Sequence, residues 1–388
     1  PSMTVGINIK ANALRAEGKD VLVLAAGEPD FDTPENIRKA ANKAIESGET
    51  RYVPGKGTPL LQNAIQKKFF RDNDLHYELD EIMVGVGGKH IIYNAMMATL
   101  NPGDEVIIPA PYWVSYPDIV LLAEGKPIIV ECSELQGFKL TPSLLEENIT
   151  SNTKWLMLNS PSNPTGAVYS EKELVELASV LLKYPKVLIM SDDIYEKIIY
   201  GNGKFSTLAS LEPKLKDRCL TLNGVSKSYC MTGWRLGYCG AHKDIISGMN
   251  KIQSQSNSST SSISMAAAVE ALNGPQDFIN EHNKHFNKRR DMVVSKLNSI
   301  EGISCTTPEG AFYVYPNCKD IIGKRTDKGE EIKSDEDFMN YLLDSEGVAG
   351  VHGAAFGLSP YFRLSYATSE KILQDACNRI ERACNKLK

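Results

Sequence analysis

The sequence lacks any unbroken apolar run approaching the about 20 residues that a bilayer-spanning helix needs, and its N-terminus shows no basic-then-apolar export segment. A membrane protein or a secreted one is therefore not expected, and the chain reads as cytoplasmic. An excess of positive charge is missing as well. Its 43 Lys and Arg are outnumbered by 48 Asp and Glu, a formal net charge of −5. That balance gives no electrostatic reason to expect nucleic acid or an anionic membrane surface as a partner. The eight cysteines form no C-x-x-C pair and no Cys/His cluster at ligand spacing, so reduced thiols are expected and a metal site is not. Repeats and low-complexity linkers are absent too. The nearest thing to a biased stretch, 254–262, is rich in Ser and reads as a polar loop. Because the chain opens at Pro1 rather than Met, a few residues are expected to be missing from the native start.

What is present is an ordinary globular composition, 42% hydrophobic and 23% charged, spread over 388 residues. That length is too great for one small core and predicts two domains. Short apolar runs alternate with amphipathic stretches through the middle of the chain, the βαβ pattern of a mostly parallel, helix-covered sheet. Strands are predicted at 81–85, 105–109, 154–158, 187–190 and 218–222, with helices at 89–100, 170–182 and 263–272. The last third reads differently: a helix at 278–297, a strand at 311–315, a helix at 335–345, a strand at 362–365 and a final helix from Glu370. The fold class is thus α/β, with a large domain over 36–285 and a smaller α+β domain made of 1–35 and 286–388.

Ligands of open parallel sheets bind beyond the carboxyl ends of the strands, so the residues that follow each apolar run matter most. After Met83-Val84-Gly85 come Gly87, Gly88 and Lys89, a strand-turn-helix passage that is either a simple tight turn or an anion site at a helix N-terminus. After Val106-Ile107-Ile108-Pro109 comes Trp113, a core or surface aromatic or else a ring able to stack on a planar ligand. After Trp155-Leu156-Met157-Leu158 comes a loop stiffened by Pro161, Pro164 and Gly166, which can fix Asn163 as a donor. After Val187-Leu188-Ile189-Met190 come Asp192 and Tyr195. An aspartate there is either a helix N-cap or a carboxylate that needs a cationic partner, since an unpaired buried charge is costly. Finally Cys219-Leu220-Thr221-Leu222 leads to Ser226 and Lys227, with Arg235 eight positions on as a possible bidentate phosphate partner. Singly these signals are modest, and Lys227 alone reads as a solvated surface lysine. Together they converge on a planar aromatic ring bearing a phosphate and an aldehyde.

Those residues resemble the class I aminotransferases of the fold-type I pyridoxal-phosphate group, most closely the bacterial aspartate aminotransferases. The resemblance runs from Ala26-Gly27-Glu28-Pro29-Asp30-Phe31 to Phe362-Arg363-Leu364-Ser365-Tyr366-Ala367-Thr368. Its specific pieces are Asn163-Pro164-Thr165-Gly166, Ser191-Asp192-Asp193-Ile194-Tyr195, and Ser226-Lys227 followed by Met231-Thr232-Gly233-Trp234-Arg235. The resemblance implies that Lys227 carries pyridoxal 5′-phosphate as a Schiff base and serves as general base and acid. It implies that Asp192 faces the pyridine nitrogen and that Asn163 and Tyr195 bond the ring oxygen, with Trp113 stacked on the ring face. Gly87, Gly88, Lys89, Ser226 and Arg235 would hold the phosphate, joined by Tyr52 of a neighbouring subunit in a homodimer with shared active sites.

For the substrate, the resemblance implies that Arg363 grips the α-carboxylate and that Gly27 lies against the bound molecule beside Trp113 and Asn163. Lys89 stands where the bacterial subgroup places the lysine that pairs with a distal carboxylate. The reaction implied is transfer of the amino group of L-aspartate or glutamate to 2-oxoglutarate by a ping-pong mechanism. Aromatic amino acids or prephenate remain alternative substrates, as does another reaction on the same cofactor. A non-catalytic regulator on the same fold would carry a DNA-binding domain in front, and none is expected ahead of Gly27. Two departures stand out: His352 and Ala354 where relatives more often have Pro and Ser, and Asp193 where Glu is usual.

Overall fold

A computed structural model of the chain describes residues 3–201 and 203–388; the expected N-terminal arm therefore includes Pro1 and Ser2, which lie outside the described residues. After the helix Met3–Ala16, β1 (Leu22–Val23) leads through the helices Glu35–Glu46 and Pro59–Asn73 to a large sheet. Its strands are β2 (Ile82–Gly85), β3 (Glu105–Ala110), β4 (Lys126–Glu131), β5 (Thr153–Asn159), β6 (Leu188–Asp192), β7 (Cys219–Gly224) and β8 (Gly237–Gly240), in the order β2-β8-β7-β6-β5-β3-β4. The pairs β3/β4, β3/β5, β5/β6 and β6/β7 are parallel, while β8 runs antiparallel to both its neighbours.

The continuous apolar runs are explained by burial on both faces. Successive residues of a strand point to opposite sides, and the two hydrophobic clusters sort accordingly. Ile107, Leu156, Leu158 and Ile189 face one cluster. Val106, Ile108, Trp155, Met157 and Met190 face the other. All are at most 4% exposed, so helices must cover both sides.

A separate core gathers the helix Asp277–Asn298, β9 (Tyr313–Val314), the helix Asp335–Glu346, β10 (Val348–Ala349), β12 (Phe362–Ser365) and the helix Glu370–Asn385, while Val351 of β11 (Val351–His352) packs in a smaller cluster. Here β12 lies between β11 and β9, antiparallel to each, and β1 pairs in parallel with β10, which draws the N-terminal segment into this half. The expected division at 285/286 falls inside the helix Asp277–Asn298.

Two strands of the large sheet escaped the sequence reading, as did the two-residue strands β1, β10 and β11. β4 is an edge strand with only Val130 buried and a proline at its second position, tolerated where one side has no partner. β8 is four residues long and begins and ends with glycine, so neither periodicity nor propensity marks it. The expected loop over 254–262 is shorter than predicted, because the helix Lys243–Ser256 includes its first three residues and the next helix starts at Ser262. The hydroxyls of Ser254 and Ser256 bond back to the carbonyls of Lys251 (2.8 Å) and Gln253 (3.3 Å), which lets serine sit in the last helical turn.

Candidate active site

The parallel strands β5, β6 and β7 end side by side, at Asn159, Asp192 and Gly224, and the antiparallel β8 begins at the same edge with Gly237 opposite both Gly85 and Gly224. A cavity of about 410 Å³ opens there. Gly27, Gly88, Lys89, Trp113, Asn163 and Asp192 line it, as do Tyr195, Ser226, Lys227, Arg235 and Arg363. Eleven residues scattered over more than 330 positions are thus brought together as predicted. Two are not on its wall. Gly87 stands one residue behind, and Tyr52 is 98% exposed and outside the cavity of its own chain.

One part of the wall is built for an anion. The helix Gly88–Thr99 has no side-chain N-cap, and the first N–H groups of a helix have no partner within it. Gly87 adopts φ +79°, and a Cβ built on it would come within 2.5 Å of the Arg235 guanidinium. Only glycine leaves that space open, so Arg235 and the helix N-terminus converge. Arg235 is held from the other side by its own bond to the Thr232 carbonyl, 2.8 Å.

Another part is built for a cation. Asp192 is 5% exposed and, among the described residues, receives only neutral donors: Tyr116 Oη to Oδ2 at 2.6 Å and the Ile194 N–H to Oδ1 at 3.3 Å. Burial pushes its carboxyl up to about 6, against the opposing pull of the Tyr116 hydrogen bond. A positively charged ring nitrogen would complete it. Asn159 ties this strand end to the next loop, donating from Nδ2 to the Asp192 carbonyl (2.9 Å) and accepting at Oδ1 from the Asn163 N–H (2.8 Å).

Lys227 points its amine at the Gly27 carbonyl and lies 5.6 Å from the Tyr195 ring centroid. Burial, and next the charge of Arg363, bring its ammonium down to about 8. Arg363 is 2% exposed; it donates to Asn163 Oδ1 at 2.8 Å and to the Ala25 carbonyl at 2.7 Å, and its Nε has no partner among the described residues. Asn163 thereby keeps its amide nitrogen for the cavity. Lys89 sits 5.0 Å from the Trp113 ring centroid, its ammonium lowered by partial burial and then by Arg235.

This donor set fits a planar ligand with a phosphate, a basic ring nitrogen and a carbonyl group. The sequence reading missed Tyr116, Asn159, Glu28, Thr232 and Tyr313, of which the last four line the cavity. Asn159 had a weak signal as the last residue of an apolar run, and Tyr116 lies one helical turn beyond Trp113. Nothing local marks Tyr313.

The aminotransferase class I and II family matches residues 19–380. A relative from Cereibacter sphaeroides, named aspartate/prephenate aminotransferase, is 55% identical over 384 residues, covering 99% of this chain and 96% of its own. The crystal structure of the Rhizobium meliloti aspartate aminotransferase is similar with a TM-score of 0.98 at 54% identity, covering 100% of this chain and 97% of that one. The Thermus thermophilus aspartate aminotransferase with maleate gives 0.92 at 39% identity over 99% and 97% of the two chains.

Proposed function

The chain belongs to the class I and II aminotransferases, and from that premise we propose that it transfers the amino group of L-aspartate or L-glutamate to 2-oxoglutarate, with pyridoxal 5′-phosphate as cofactor. One observation carries the choice of substrate. The cavity that holds Lys227 has two further cations outside its anion cradle, Arg363 beside Asn163 and Lys89 above Trp113. A dicarboxylate needs a cation for each end; a monocarboxylate or an aromatic donor needs one. The names of the Rhizobium and Thermus relatives support the same reading.

Pyridoxal 5′-phosphate, when bound, supplies an electrophilic carbonyl carbon and a ring that takes up the electron pair released at the substrate α-carbon. The chain's residues would divide the remaining work. Gly87, Gly88, Ser226 and Arg235 bind the phosphate, and Lys89 adds its backbone N–H. Asp192 supplies the negative charge opposite the ring nitrogen, while Tyr116 and the Ile194 N–H keep that carboxylate oriented. Asn163 and Tyr195 donate to the ring oxygen. Trp113 packs against the ring face, and Gly27 leaves room for the substrate. Lys227 Nζ, which burial makes far readier to shed its proton than an exposed lysine, takes the proton from the α-carbon and delivers it elsewhere. Arg363 orients the α-carboxylate through its planar fork. Because donor and acceptor are both 2-substituted dicarboxylates, one site serves both half-reactions in turn.

We further propose a homodimer in which Tyr52, fully accessible in one chain, completes the phosphate site of its partner, and a division of the chain into 36–285 and 1–35 plus 286–388. All eight cysteines are free, which supports a reducing compartment such as the cytoplasm. A second reading, prephenate as an additional substrate, is favoured by the name of the Cereibacter relative, and prephenate also carries two carboxylates.

The test is a panel of amino donors mixed with cofactor-loaded protein while the visible absorbance is followed. Aspartate and glutamate are expected to convert the spectrum, and silence with every donor would sink the proposal. Lys89→Ala sharpens it. Loss of one charged contact is expected to raise KM for aspartate by about 10–100-fold while leaving KM for alanine within about twofold. Equal effects on both donors would remove Lys89 from substrate recognition.

A further inference from the structure

Tyr313 is fully buried on β9, directly opposite Ser365 of β12. Arg363 lies two residues earlier on β12, on the same face, within the diagonal reach of an aromatic side chain. The Tyr313 ring centroid is 4.5 Å from the Arg363 guanidinium carbon. At its other end the hydroxyl lies 2.8 Å from the hydroxyl of Tyr195, with the two rings nearly perpendicular at 81°. Tyr195 follows β6 of the large sheet, so this one side chain joins the two halves of the cavity. Gly27 closes over it: a Cβ there would stand 3.2 Å from the Tyr313 hydroxyl.

The turn that presents Tyr313 is fixed. Ala311 holds φ +55°, its N–H donates to the Ile198 carbonyl at 2.9 Å, and its carbonyl accepts from the hydroxyls of Tyr200 and, at 3.1 Å, Tyr366. The Tyr366 N–H in turn donates to the Phe312 carbonyl at 2.9 Å. A side chain locked by its own supports can orient others.

We propose that Tyr313 is a positioning residue with two separable duties: its hydroxyl fixes that of Tyr195, and its ring face holds the Arg363 guanidinium in place. The proposal rests on the reading of Tyr195 as a cofactor partner and Arg363 as the carboxylate clamp. Either hydroxyl of the pair can donate; we take Tyr313 as the donor, because Arg363 lies 4.5 Å from its ring while Lys227 lies farther, 5.6 Å, from that of Tyr195. Tyr195 then keeps its own hydrogen for the cavity, and a donor that is itself accepting donates more strongly.

Three proteins separate the duties: the wild type, Tyr313→Phe, which keeps the ring and loses the hydroxyl, and Tyr313→Leu, which loses both. Two quantities are read on each after loading with pyridoxal 5′-phosphate: the pH midpoint of the visible absorbance band and Kd for maleate at fixed pH. A hydroxyl donating to the ring oxygen favours its deprotonated form, so weakening that donor raises the midpoint. Tyr313→Phe is expected to raise it by about 0.5 unit while maleate Kd stays within about twofold. Tyr313→Leu is expected to raise the midpoint equally and Kd by about fivefold or more. A Phe variant with the wild-type midpoint overturns the hydroxyl's duty, and a Leu variant with wild-type Kd overturns the ring's. Should the leucine variant fail to fold, Tyr313→Met, which fills irregular space, takes its place with the same readout. A wild-type protein that binds neither the cofactor nor maleate overturns the functional reading itself; wild-type binding with variants that do not split overturns only the role of Tyr313.

Discussion

Replacing Lys227 with alanine is expected to lower kcat for aspartate transamination by at least about 10³-fold, because in the proposed mechanism one amine would serve both as covalent anchor and as proton carrier. The loss has a second signature. Borohydride reduction should fix the cofactor to the wild-type protein and leave the cofactor of Lys227→Ala removable by dialysis. Retention of more than a few per cent of activity would take the proton transfer away from Lys227. The environment explains why this lysine is suited to the task. Burial beside Arg363 brings its ammonium to about 8, against the usual 10.4 of an exposed lysine. At pH 7.5 about a quarter of the population then carries the free amine, against about one molecule in a thousand for an unshifted group.

The same shift sets a sign for stability without cofactor. The folded chain holds fewer protons on Lys227 than the unfolded one between pH 8 and about 10.4. Its burial therefore costs stability in full below about pH 8, and the cost fades as the pH rises through that window. A Lys227→Met apoprotein should be more stable than the wild-type apoprotein at pH 7, with the gap closing toward pH 10. Denaturant midpoints measured across that range check the direction.

Arg363→Leu is expected to lower kcat/KM for aspartate by about 10²–10³-fold, the range found when one partner of a buried charge pair is removed. Arg363→Lys should recover only a small part of this, since a point charge lacks the planar two-pronged donor geometry. The apoprotein predicts an opposite effect on stability. Arg363 is almost fully buried and, among the described residues, has no carboxylate as a hydrogen-bond partner: it donates to one side-chain amide and one carbonyl, and its Nε is unpartnered there. Burying such a charge costs free energy, and burial lowers its pKa accordingly. The Leu variant should thus melt no lower than the wild-type apoprotein, yet gain nothing from maleate, which raises the wild-type Tm by binding the folded state. A variant that is both inactive and markedly less stable would mean that Arg363 acts as a structural strut.

The large sheet was legible because parallel strands buried on both faces produce runs such as Trp155-Leu156-Met157-Leu158, and glycines and prolines punctuate them. The same logic failed for β4 and β8: β4, half-exposed at an edge, carries only Ile128-Ile129-Val130 behind a proline, and β8 has two residues between its bounding glycines. The polar segment after Lys243 was misjudged because serine hydroxyls can turn back onto a helix, which no composition rule registers.

By itself the sequence marked the residues at the strand ends that meet at the cavity. Lys227, Asp192, Asn163, Arg235 and the Gly87-Gly88 turn each sit at a fixed short offset from an apolar run, and a parallel sheet delivers all such offsets to one edge. Tertiary structure alone decided which neutral groups hold them. Tyr116 meets Asp192 across 76 positions, Asn159 meets Asp192 across 33, and Tyr313 meets Tyr195 across 118. Such partners are chosen by strand register and the packing of one half against the other, so they share no spacing that the linear chain could display. The charged groups gain meaning once all the strand ends are read together; Tyr116 and Tyr313 are known only by what they touch.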